Sequence, residues 1–149
     1  MDSTERIPLI RKIKSEDSEE ISRIYSAITR QAERTDFAEL IKAHARGKYS
    51  GSLVAELDGR VVGFLISYIL VLGFGIGKSA WIASMDEDPG YAGQGVGARL
   101  AAEVFRFYET WGITRVYASV KWDCADLLSF FRTLDFERSD YINLTKKLG

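Results

Sequence analysis

The chain has 149 residues, enough for one compact domain with a sizeable core, and residues 1–149 read as a single domain. Twenty basic residues against 21 acidic ones give a net charge of -1, which argues against a nucleic-acid binder. The longest apolar stretch, Val61 to Ile76, is broken by Gly63, Ser67, Gly73 and Gly75 and is too short to span a bilayer, so no membrane role is expected.

Cysteine usage points the same way. Cys124 is the sole cysteine, so no intramolecular disulfide forms, which suits a reducing compartment. The first 20 residues contain no apolar h-region of a secretory signal. The expected location is cytoplasmic. One His and one Cys cannot supply a closed ligand set, so no metal site is expected.

In chain order, residues 9–14 alternate apolar and basic and predict a half-buried strand. Ser15 is placed to cap the next helix, with Glu16 and Asp17 in its first turn. Ile21, Ile24, Tyr25, Ile28 and Ala32 form its apolar stripe. A second helix is predicted from Asp36, with Glu39 completing a capping box, Phe37, Leu40, Ile41 and His44 as its stripe, and Gly47 as its stop. Strands 53–57 and 61–72 flank Asp58-Gly59, a dipeptide that favours a tight hairpin turn. A Gly-rich turn at 73–78 leads to a strand near 79–87. A long helix follows residues 88–97, with Val96, Leu100, Val104, Tyr108 and Trp111 on one face and Gly112 at its end. A strand at 115–120, a helix from about Asp123 to Leu134 and one or two strands through 136–146 complete the order. Three strands joined by short turns imply antiparallel pairing, and the strand–helix–strand unit at 80–120 implies a parallel neighbour. The fold class is α/β with a mixed sheet and helices on both faces.

Gly93-Gln94-Gly95-Val96-Gly97 carries the chemistry. Glycines between a strand and an amphipathic helix allow positive φ and close ligand approach. The unpaired N–H groups and dipole of the helix start suit a phosphate or diphosphate. A plain connection without a ligand is the bland alternative. Gly93-x-Gly95-x-x-Ala98 meets the loose dinucleotide fingerprint, but that pattern normally opens a βαβ repeat with an acidic residue about 20 positions on. A Walker loop at Gly73–Ser79 fails, because Leu72 stands where its first glycine belongs.

The run from Asp88 to Ala98 resembles motif A of the GNAT superfamily of N-acetyltransferases, written Q/R-x-x-G-x-G/A and often preceded by an acidic-Pro step. It matches at Asp88-Pro89, Gly93, Gly95 and Gly97 and departs at Ala92, where Gln or Arg is usual. The element order over nearly the whole chain is similar too.

The resemblance implies that acetyl-CoA is the co-substrate. Its diphosphate would lie on the loop Ala92, Gly93, Gln94, Gly95, Val96, Gly97 and Ala98. Its pantetheine arm would pair with Met85, Asp86 and Glu87, in a gap whose other side is the strand 115–120. The usual helix Tyr falls on Phe131 and the usual Asn on Cys124, while the Glu base of some relatives falls on Ser119. Those helpers being absent, Glu87 and Asp86 are the base candidates, on opposite faces of their strand, and Tyr141 is the acid candidate. Against these stand a solvated acidic strand end and ordinary sheet packing. Trp122, Asp123 and Asp126, with Tyr68, are the acceptor-site candidates, capping being the simpler role for Asp123. Cys124 is expected to be a small buried hydrophobe, and His44 a packing residue.

The leading function is therefore acetyl transfer from acetyl-CoA to a primary amine, of a small molecule or a peptide, by direct attack. A non-catalytic acyl-CoA-binding or sensing module and a nucleotide-binding α/β domain are the alternatives. A homodimer is in keeping with the resemblance.

Overall fold

The computed structural model describes residues 7–29, 35–46, 51–73, 75 and 77–149. Five strands, β1 (Leu9–Lys12), β2 (Leu53–Leu57), β3 (Arg60–Leu72), β4 (Gly77–Glu87) and β5 (Val116–Ala118), form one sheet in the order β1-β2-β3-β4-β5. The first four are antiparallel neighbours and β5 runs parallel to β4. Four helices, α1 (Ser18–Thr29), α2 (Thr35–Arg46), α3 (Val96–Thr110) and α4 (Ala125–Thr133), pack on the two faces.

Strand alternation divides the core. Val54, Val61, Phe64 and Ile66 meet Ile21 and Ile24 of α1 and Ile41 of α2 on one face. Ala55, Val62, Leu65, Ala80 and Ile82 meet Val96, Leu100, Val104 and Tyr108 of α3 on the other, joined by Phe131 of α4. The β2–β3 hairpin turns on Asp58 (φ 53°) and Gly59 (φ 78°), the pair of left-handed residues that a two-residue turn needs. Tyr108 anchors α3 by its phenol, which accepts from Gly51 N–H (3.1 Å) and bonds Ser67 Oγ (2.7 Å) inside the core.

Several expectations need correction. Ser15 opens a short 3₁₀ turn (Ser15–Asp17) instead of capping α1. Asp17 takes the structural role there: its carboxylate accepts from Lys14 N–H (2.7 Å) and pairs with Arg11 (2.8 Å). Ala32, Gly47 and the side chains of Ile28, Asp36 and Phe37 lie outside the described residues. Leu40, expected in the α2 stripe, is 43% exposed, and Trp111, at the C-terminal cap of α3, is 39% exposed.

The largest departure is at the C-terminus, where residues 136–149 form neither strand nor helix. Ile142 and Leu144 alternate as strand residues do, yet they stand 73% and 87% exposed. A strand needs a backbone partner. Here side chains meet β5 and the residue after it: Tyr141 packs edge-on to Tyr117 (6.4 Å between centroids) and Asn143 Nδ2 donates to Ser119 Oγ (2.7 Å).

Candidate active site

The segment after β4 bonds to itself first. Asp88 N–H donates to the Val62 carbonyl (2.8 Å), while the Asp88 carboxylate accepts from Gly90 N–H (2.9 Å) and pairs with Arg23 of α1 (3.2 Å). Tyr91 and Gln94 donate to the carbonyls of Asp88 and Tyr91. By contrast, the N–H groups of Gly93 and of Gly95 through Ala98 make no backbone hydrogen bond among the described residues. Gly93 (φ 81°) and Gly95 (φ 77°) turn the chain so that these donors gather at the start of α3. A Cβ at either glycine would meet nothing within 4 Å, so conformation and not crowding calls for glycine there. Donors that no backbone carbonyl takes, at the positive end of a 15-residue helix, suit a diphosphate, and the space beside Gly93 and Gly95 is open. The residues present fit the phosphates of CoA.

Beside this loop the sheet splits. β5 pairs with β4 only across Ala80–Ile82, so residues 83–87 of β4 have no strand partner on that side among the described residues. Met85, Asp86 and Glu87 end this free edge. Backbone groups left open in this way can pair with an extended ligand.

The two acidic residues part company. Asp86 lies opposite Phe64 and so shares the α1–α2 face, while Glu87 lies opposite Gly63 on the α3 face. Burial pushes the Asp86 carboxyl up to about 6, and the neighbouring charge of Glu87 adds to the shift. Burial also pushes Glu87 up, and the N–H groups of Gly93 and Gly97 pull it back. Its Oε2 is buried and has no hydrogen-bond partner among the described residues.

A groove of about 880 Å³ runs along β5, lined among others by Trp81, Tyr117, Trp122, Phe131 and Tyr141. Trp81 stacks on Tyr117 (4.8 Å, 24°), and Tyr68 sits opposite Trp81 and tilts against His44 of α2 (6.2 Å). His44 Nδ1 lies 3.3 Å from Ser52 Oγ, and burial lowers its proton affinity.

The other expected positions scatter. Trp122 is 86% exposed at the groove, whereas Asp123 and Asp126 do not line it. Asp123 does not cap α4: the cap position is Cys124, without a side-chain bond, and Asp123 lies 4.0 Å from Lys121 Nζ. Cys124 is exposed, contrary to the buried role expected of it, because the start of α4 faces outward. Phe131 is buried against Phe136 (4.9 Å). The Trp81–Tyr117 stack and the Arg23–Asp88 pair were missed, since both depend on register and docking. Gly63, inside an apolar strand run, was a readable sign of close helix approach.

Residues 18–136 match the family model described as acetyltransferase (GNAT) family. No curated protein matches the chain. Among solved structures, the CoA complex of aminoglycoside N-acetyltransferase AAC(6')-Iy aligns at 16% identity and TM-score 0.83, over 99% of each chain. An aminoglycoside acetyltransferase from an uncultured soil metagenomic sample, in complex with trehalose, aligns at 19% identity and TM-score 0.78, over 96% of this chain and 97% of that one. The ribosomal-protein-alanine N-acetyltransferase of Brucella melitensis biovar Abortus 2308 aligns at 15% and TM-score 0.76, over 95% and 99%. At these identities the likeness is one of fold.

Proposed function

Because the chain belongs to the GNAT family of acetyl-CoA-dependent N-acetyltransferases, we propose that it acetylates a primary amine of a small molecule or peptide by direct attack. The observation that carries the donor half is the set of N–H groups of Gly93 and Gly95 to Ala98 that no backbone carbonyl satisfies among the described residues, beside the free edge of β4. Those amides hold the diphosphate, with Ala92 and Gln94 shaping the loop, and the backbone of Met85 to Glu87 aligns the pantetheine arm. Phe131 and Cys124 border the arm from α4. Acetyl-CoA, when bound, supplies a thioester that an amine can attack.

The chain's own work is to position the amine and move its proton. Asp86 takes that part, because its carboxyl faces the α1–α2 side, next to the free edge, and holds its proton to about pH 6. A base titrating near the working pH combines the ionised form with useful proton affinity. Tyr141, against Tyr117, is assigned as the proton donor to the departing sulfur. Tyr68 and Trp122 border the acceptor, and Asp123 and Asp126 draw a cationic amine toward that end. The names of the aligned structures, aminoglycoside enzymes and a protein-alanine enzyme, fit an amine acceptor of either size.

Calorimetry with CoA tests the reading. Gly95→Ala is expected to weaken CoA about 5–30-fold, since a side chain at this φ of 77° costs about 1–2 kcal/mol. Wild-type protein that binds no CoA, or a variant that binds as well as wild type, overturns the placement. Release of free thiol from acetyl-CoA in the presence of pooled amines checks the transfer itself; CoA binding without such release supports a sensing module instead.

A further inference from the structure

Glu87 stands where an anion is due to bind. The β4 register sends its side chain to the α3 face, beneath the turn, and its carboxyl lies against the N–H groups of Gly93 and Gly97. Those amides belong to the set that no backbone carbonyl satisfies. The contact is incomplete, because Oε2 is enclosed with no hydrogen-bond partner among the described residues. A carboxylate in a nest of amides is an internal stand-in for a phosphate, and two ionised anions in one nest repel strongly.

Among the described residues no cation pairs with Glu87 to relieve that repulsion. Asp86, adjacent on β4, carries the same sign and raises the local negative potential. Arg23 of α1 and Arg60 of β3 act on Asp88, beyond the end of the strand. Arg99 of α3 is exposed. An incoming diphosphate therefore meets Glu87 directly, and one way to relieve the clash is for Glu87 to take a proton.

We propose that Glu87 occupies the diphosphate nest of the free protein and that CoA binding is coupled to its protonation. The inference rests on the CoA reading above and adds to it a proton that the loop glycines alone would not require. The bond that forms is the carboxyl O–H, with the proton drawn from solvent, and the electrostatic repulsion that it removes is between Glu87 and the diphosphate.

Calorimetry of CoA binding to the full chain between pH 7 and 8.5, in buffers of differing ionisation enthalpy, measures the proton count. Wild type is expected to take up as much as one proton per CoA, so that Kd rises by up to about tenfold per pH unit. Pantetheine, which lacks the diphosphate, is expected to take up none. Glu87→Gln is expected to bind CoA more tightly than wild type at pH 8 and to lose the proton uptake. Binding of CoA without proton uptake, together with a variant no tighter than wild type, overturns this inference and leaves the functional reading intact. Absence of CoA binding to wild type overturns both, so the two failures are distinct.

Discussion

Asp86→Asn is expected to lower kcat/KM for acetyl transfer by about 10²–10⁴-fold, the usual contribution of one general base, while CoA affinity stays near wild type. The amide keeps the shape of the side chain and removes its capacity to accept the proton. In wild type the rate should fall as pH drops through about 6, because Asp86 becomes protonated there. The variant should lack that limb. In the CoA-free protein, Glu87→Gln should shift the titration of Asp86 to lower pH, since the charge of Glu87 helps to raise Asp86. An Asp86→Asn enzyme with wild-type rate and an unchanged pH profile would assign the base elsewhere.

Stability gives a second measurement on the same residue, with opposite sign. The folded-state value of about 6 lies above the unfolded value of 3.8, so the ionised carboxyl burdens the folded state. The favourable contribution is complete below pH 3.8 and is lost as pH rises through 6. The full difference corresponds to about 3 kcal/mol, which solvent access to the carboxyl reduces to about 1–2 kcal/mol. Asp86→Asn should therefore be more stable than wild type at pH 8 and no more stable at pH 4, as denaturant titrations at the two pH values will check. A residue that impairs stability at the working pH yet sits at a free strand edge fits a functional demand better than a structural one.

The parts legible in the sequence are those set by local chemistry. Asp58-Gly59 fixes its turn through two left-handed residues, and the glycines at 93 and 95 fix theirs in the same way. The stripe of α3 was readable from Val96 to Tyr108, all four members being buried, and failed at Trp111, where the helix ends. Alternation alone said that Asp86 and Glu87 would diverge. Which of them faces α3 depends on how β4 registers with β3, where a bulge at Ile66/Ser67 resets the alternation farther along. The tail failed for a related reason. Tyr141 to Leu144 carry a strand pattern, but a pattern cannot supply the neighbouring backbone that turns it into a strand. Cys124 was misjudged because its residue type, and not its position at a helix cap, set the expectation.

Gly63→Val should join stability to cofactor binding in one variant. Gly63 pairs with Glu87 across β3 and β4, and a Cβ built there lies 2.6 Å from Val96 Cγ1, 3.3 Å from Leu100 Cδ1 and 3.4 Å from the Asp86 carbonyl. Val96 is the first residue of α3, and a β-branched side chain in a helix has little rotamer freedom with which to yield. The helix start must therefore move. We expect a loss of about 3 kcal/mol, read as roughly 10 °C in Tm, at the upper end of what overpacking a tight core costs. CoA affinity should fall as well, because the N–H groups of Gly95 to Ala98 ride on the same helix start. Adding Val96→Ala makes room for the new side chain, so the double variant should be more stable than the sum of the single changes by about 1 kcal/mol or more. Strict additivity would mean that β3 and α3 do not press on each other at this point. The loop geometry would then owe nothing to the glycine beneath it.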